Sequence, residues 1–181
     1  DGRLYTSSDS GQSWTPRESA RRWGALACSA DGSRILALDY GEADGLAYLS
    51  TDFGVTWTNP RTVLHPWLMR QPWTAAAASA DGQTWVIGSS FPLLGSGALL
   101  VSTDGGATWI RRGFNGNYRS LGCSANGQHM VAGTDESLLL SHDAGQSWQD
   151  VPGIQNVAAV CISSDGRVIT AGQTGGRLYT S

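Results

Sequence analysis

The sequence predicts an all-β fold: a β-propeller of four-stranded antiparallel blades, about four of them in this chain, complete in themselves or as part of a larger propeller or array. Three observations predict it. A first segment, Ser-x-Asp-x-Gly-x-(Ser/Thr)-Trp, occurs four times along the 181 residues. A second, Ser-(Ala/Ser)-(Asp/Asn)-Gly, interleaves with it four times. The composition, with 24 Gly and 8 Trp and few strong helix formers, suits short strands joined by tight turns.

The first segment reads Ser7-Ser-Asp9-Ser-Gly11-Gln-Ser13-Trp14, then Ser50-Thr-Asp52-Phe-Gly54-Val-Thr56-Trp57. It returns as Ser102-Thr-Asp104-Gly-Gly106-Ala-Thr108-Trp109 and Ser141-His-Asp143-Ala-Gly145-Gln-Ser147-Trp148. The second comprises Ser29-Ala-Asp31-Gly32, Ser79-Ala-Asp81-Gly82, Ser124-Ala-Asn126-Gly127 and Ser163-Ser-Asp165-Gly166. Asp-Gly and Asn-Gly between apolar runs signal hairpins, because these residues tolerate φ > 0. Each unit therefore carries two hairpin turns and four strands, A to D.

Strand A is placed at residues 24–28, 74–78, 120–123 and 157–162, and strand B at 34–38, 84–88, 129–133 and 167–171. Strand C leads into the first segment, at 46–49, 98–101, 138–140 and 177–180, and strand D begins at each Trp of that segment. The repeats fall near 1–22, 23–72, 73–117, 118–156 and 157–181. The small residues of strand A suit an innermost strand on a crowded channel. Imperfect period-2 alternation suits sheets covered on both faces. A β-sandwich is the competing repeat architecture. The WD40 repeat is disfavoured because no Trp-Asp dipeptide occurs, and the kelch repeat because the Gly-Gly pairs are not periodic.

The four first segments resemble the Asp box, or BNR repeat, of sialidases, sortilin-type receptors, some glycoside hydrolases and photosystem assembly factors. The resemblance covers essentially the whole chain. It implies the propeller fold, and a structural role for Asp9, Gly11, Trp14, Asp52, Gly54, Trp57, Asp104, Gly106, Trp109, Asp143, Gly145 and Trp148. The residue chemistry agrees. Asp is expected to be a largely buried acceptor of N–H bonds, Gly to supply φ > 0, Ser/Thr to add a local bond, and Trp to pack over the turn with its N–H on a carbonyl. Recurrence in every blade argues against catalytic carboxylates.

An A–B–C–D meander puts both repeated turns on one face and the B–C loops and D–A linkers on the other. The lengths vary on that second face, with insertions at residues 40–44, 59–70 and 89–96. Loops on a rigid scaffold are where binding usually sits. Trp67, Met69, Arg70, Phe91 and Leu93 are therefore the candidate contact patch for a protein or glycan, unless they cap the channel or pack on each other. Adjacent blades or copies of the same protein are further candidate partners.

Sialidases of the resembled family use an arginine triad, a Tyr/Glu pair, an Asp acid and an Arg-Ile-Pro motif. Arg-Ile-Pro is missing here, and Glu occurs only at Glu18, Glu42 and Glu136. Glu42 and Asp44 qualify as glycosidase carboxylates only by lying on a variable loop. His65, His129 and His142 sit in unlike positions and suggest neither metal nor triad. No cofactor or metal is expected. The net charge of −3 gives no case for nucleic acid or an acidic membrane, and no apolar run is long enough to span a bilayer. Cys28, Cys123 and Cys161 lack zinc-ligand spacing and are expected to be small core residues. The reading is a non-enzymatic extracellular or cell-surface interaction module. The alternative is a segment of a glycan-active hydrolase with its catalytic residues elsewhere. Residues 176–181 repeat residues 2–7 letter for letter, adding a fifth strand C. The expectation is a segment of a longer protein or array, with a closed four-bladed ring as rival.

Overall fold

The computed structural model of the chain describes residues 1–40, 47–59, 72–90 and 97–181. Among these there is no helix, and sixteen strands form five antiparallel sheets. The first sheet pairs β1 (Gly2–Thr6) with β2 (Thr15–Arg21). The second runs β3 (Trp23–Cys28), β4 (Ile35–Asp39), β5 (Ala47–Ser50). The third is β6 (Trp73–Ala78), β7 (Trp85–Ser89), β8 (Leu99–Ser102), β9 (Ile110–Arg112). The fourth is β10 (Tyr118–Cys123), β11 (Met130–Thr134), β12 (Leu138–Ser141), β13 (Gln149–Val151). The fifth is β14 (Val157–Ile162), β15 (Ile169–Gln173), β16 (Leu178–Thr180). Strand order follows chain order in every sheet, as in a meander. Strand D of the second sheet is present among the described residues only as the Leu49–Thr58 bridge.

Consecutive sheets pack face to face, and one apolar cluster fills each gap. Leu4 meets Ala37 and Tyr48 between the first two sheets. Leu36 and Leu38 meet Trp73, Trp85 and Ile87 in the next gap. Val86, Leu99 and Val101 meet Tyr118, Met130 and Ala132 in the third. Val131 and Leu138 meet Val157, Ile169 and Ala171 in the fourth. The central strands β7, β8 and β11 are buried at every position, which is why they lack clean alternation.

Strand bounds differ from the sequence expectation by up to two residues, and strand D starts one residue past its Trp, at Thr15, Ile110 and Gln149; two of the shifts have a local reason. Strand B starts later because the N–H groups of Arg34, Thr84, His129 and Val168 donate to the turn serines Ser29, Ser79, Ser124 and Ser163 instead of a strand neighbour. In the second, third and fourth sheets strand A starts earlier, at an aromatic residue, and every strand A carries a bulge just inside its start. The register shifts between Trp23 and Ala25, Trp73 and Ala75, Tyr118 and Ser120, and Val157 and Ala159. Crowding accounts for the small residues of strand A. A Cβ on Gly24 would lie 2.4 Å from the Trp73 carbonyl oxygen.

The cysteines depart from expectation. Cys28 and Cys161 are exposed and Cys123 is half-buried; all three are free thiols. Cys28 on β3 and Cys161 on β14 sit on strand A faces that no further strand A among the described residues covers, as exposed Leu26 also shows, whereas Cys123 on β10 packs against the core of the third gap. Burial pushes the Cys123 thiol up to about 12.

Candidate functional site

Both families of turns lie on one face, tied together within the second, third and fourth sheets. The N–H groups of Phe53, Gly105 and Ala144, in C–D turns, donate to Ser33, Gln83 and Gln128 in the A–B turns of their own sheets. The A–B turns are also joined between sheets. Ala30 N–H donates to Ala80 O, Ala80 to Ala125 and Ala125 to Ser164, each at 2.8 Å.

The C–D turns share one bonding pattern. The first Ser hydroxyl donates to Asp Oδ1 at 2.7–2.8 Å and accepts the Gly N–H at 2.8–2.9 Å. The same Asp accepts the Ser/Thr N–H at 2.8–2.9 Å and the Ser/Thr hydroxyl at 2.5–2.6 Å. The Trp indole N–H donates to the Gly carbonyl at 3.0–3.2 Å. Gly11, Gly54, Gly106 and Gly145 have φ of 77° to 91°. The residue before each Gly also has positive φ, an unforeseen feature at Ser10, Phe53 and Ala144.

These carboxylates are not the buried groups the sequence suggested. Asp52 and Asp143 are half-exposed and Asp104 exposed. The buried partner is the serine hydroxyl, at Ser50, Ser102 and Ser141. Hydrogen bonds from the Ser/Thr two residues past Gly, then from the first Ser, hold Asp9 and Asp52 at about 2. Bonds from Ser147 hold Asp143 there too. Nothing here resembles a proton-transfer carboxylate, which needs its pKa near the working pH.

Three of the four Trp rings join the cluster between their own sheet and the preceding one: Trp57 that of Leu4, Trp109 that of Leu36, Trp148 that of Val101. Exposure follows, 8% for Trp148 against 61% for Trp14 in the first sheet. A cleft of about 730 Å³ beside Trp14, lined by Tyr5, Arg17, Phe53 and Val55, occupies that face of the first two sheets.

Trp67, Met69, Arg70, Phe91 and Leu93 lie outside the described residues, as do Glu42, Asp44 and His65. On the face opposite the turns, the described residues form a pocket of about 330 Å³ between the D–A linker at 113–117 and the B–C loop at 135–137. Phe114, Asn115, Tyr118, Glu136, Ser137 and Asp150 line it. Phe114 is 58% exposed, so its ring is open to solvent beside the pocket.

The walls are held from below. The Tyr118 hydroxyl donates to the Phe114 carbonyl, and burial pushes that phenol up to about 12, so it stays a donor. Arg119, the extra residue of the β10 bulge, pairs with Asp135, which also accepts a bond of 3.0 Å from the Asn117 amide. Arg111 donates to Asn115 Oδ1 at 2.6 Å. A Cβ on Gly97 would lie 2.1 Å from the Gly116 carbonyl, so the linker rests directly on that glycine. Length variation could not find this pocket. The 109–118 linker has the same spacing as 148–157, and only the Phe114-Asn115 pair, where the other linker has Gly153-Ile154, marks it.

No family model and no curated protein matches the sequence. Solved structures do. An ancestral GH74 enzyme superposes with a TM-score of 0.75 over 98% of this chain at 16% identity. A Niastella koreensis GH74 enzyme gives 0.70 over 99% at 17%, and the GH74 xyloglucanase from Xanthomonas campestris 0.67 over 99% at 19%. The fold is thus that of a β-propeller blade array. The chain spans 26%, 32% and 33% of those three enzymes. No helix among the described residues is long and apolar enough to cross a membrane.

Proposed function

We propose that this chain is part of an extracellular, Asp-box-type propeller that binds neutral glycans through the pocket between the 113–117 linker and the 135–137 loop, without itself performing chemistry. The observation that carries the reading is the exposed Phe114 ring beside Asn115, Glu136, Ser137 and Asp150. A phenyl face offers a platform for the apolar face of a sugar ring, and the polar groups accept bonds from its hydroxyls. Two carboxylates in the lining disfavour sialic or uronic acids and favour hydroxyl donors. Structural likeness to a xyloglucanase makes β-glucans such as xyloglucan oligosaccharides the first ligands to try.

The test is titration of the chain with xyloglucan oligosaccharides and a sialoside. Binding of the neutral glycan, weakened roughly tenfold or more by Phe114→Ala with an unchanged melting temperature, is the expected result. Equal binding by wild type and Phe114→Ala removes the site.

A second reading, a segment of a glycan-active hydrolase, is favoured by Glu136 and Asp150 sharing one pocket. Release of reducing ends by the chain, abolished in Glu136→Gln or Asp150→Asn, would establish it. No turnover is expected.

A further inference from the structure

We propose that His129 and His142 form a two-imidazole site for a divalent transition-metal ion of the Ni²⁺ or Cu²⁺ type, on the turn face of the fourth sheet. The two residues come from different repeated turns and sit just beyond the last β11–β12 pair, Met130 and Ser141. Their Nδ1 atoms are 3.0 Å apart, the ring centroids 5.2 Å apart and the ring planes at 69°. One imidazole donates a proton to the lone pair of the other. A metal ion takes both Nδ1 lone pairs once the donor ring's proton has moved to its Nε2, and the ion then sits to one side of the line between the two nitrogens.

The spacing selects the kind of ion. With metal–nitrogen distances of about 2.0–2.1 Å, nitrogens 3.0 Å apart subtend about 90° at the metal. That is the cis angle of square-planar and octahedral complexes, suited to Cu²⁺ and Ni²⁺. A tetrahedral Zn²⁺ site needs the nitrogens roughly 3.3–3.4 Å apart. No group of three or more His, Cys, Asp and Glu side chains gathers anywhere among the described residues, so water completes the coordination.

Both rings are placed by rigid turns. His142 is the variable second residue of its C–D turn, fixed between Ser141 and Asp143, which are joined at 2.8 Å. His129 has its N–H on Ser124 Oγ at 3.0 Å. Its ring lies under Gly166 of the next sheet, where a Cβ would come within 2.5 Å of Cδ2. The corresponding positions elsewhere are Arg34 with Thr51 and Thr84 with Thr103. The imidazole pair is thus a property of one sheet, not of the repeat.

The test is calorimetric titration of the 181-residue chain, free of any polyhistidine tag, with NiCl₂ and with ZnCl₂. One Ni²⁺ per chain is expected, bound more tightly than Zn²⁺. His142→Thr and His129→Thr are each expected to weaken Ni²⁺ at least about tenfold. Both replacements already occupy the equivalent places in the third sheet, so the turns should close; unchanged melting temperatures check this. Unaltered Ni²⁺ affinity in either folded variant overturns the proposal. So does loss of binding in His65→Ala or in a variant lacking the three cysteines while the pair is intact.

Discussion

Ser102 has a hydroxyl that works in both directions: it donates to Asp104 and accepts the N–H of Gly106, and it is 2% exposed. Removing it strands a buried N–H, whereas removing Thr108 on the exposed rim leaves groups that water can reach. Ser102→Ala is therefore expected to cost about 1–3 kcal/mol, and Thr108→Ala clearly less, as read from denaturant midpoints of the two variants. Equal costs would mean that the turn is held at its rim. At this scale the sequence was informative about chemistry but not about depth. The spacing of Ser, Asp, Gly and Trp foretold the partners, yet burial falls on serine, the residue least distinguished by composition. Phe114 was illegible for a related reason. Its meaning comes from exposure beside Glu136 and Asp150, which are 22 and 36 positions away.

Sheets also approach one another closely where a C–D turn meets the strand C before it. A Cβ on Gly145 would lie 2.7 Å from Val101 Cγ2, and one on Gly54 2.8 Å from Thr6 Cγ2. Gly11 has the same positive φ but meets only its own Trp14, at 3.8 Å. Alanine at Gly11 should cost on the order of 1 kcal/mol, from left-handed strain alone. Alanine at Gly145 should cost a further 1–3 kcal/mol, roughly, because Val101 and Met130 must shift. Thermal melts of the two variants separate these terms, and matching losses would show that the inter-sheet gap yields freely. The strands themselves were readable from the Asp-Gly turns and the Trp positions. The bulges in β3, β6, β10 and β14 were not, because one unpaired residue leaves no mark on an apolar run. One of those bulges supplies the Arg119 that pairs with Asp135 in the neighbouring B–C loop.

Across the whole chain, seven aspartates at the repeated turns have lowered pKa values: Asp9, Asp31, Asp52 and Asp143 at about 2, and Asp81, Asp104 and Asp165 in the same direction. Neighbouring Ser and Thr groups are the chief cause for most. At Asp104 partial desolvation acts upward and is outweighed by Thr108 and Ser102. A carboxylate lowered by folding stabilises the fold above its unfolded pKa and loses that contribution as pH falls through its folded value. The melting temperature should therefore be insensitive to these groups above about pH 4 and fall steeply between about pH 4 and pH 2. A melting temperature that stays level down to pH 2 would contradict this.

The bonds from Ala30 to Ala80, Ala125 and Ser164 have one length at three successive joints. Such a seam acts like the spine of a fan: it fixes the angle between neighbours from its own side, so the loops of the far side need not set it. Insertions of unequal size can then accumulate between the ribs without altering the pitch of the array. For the proposed glycan site this would make ligand preference separable from curvature, with a new specificity drafted in the linkers while the angle from sheet to sheet stays as it was.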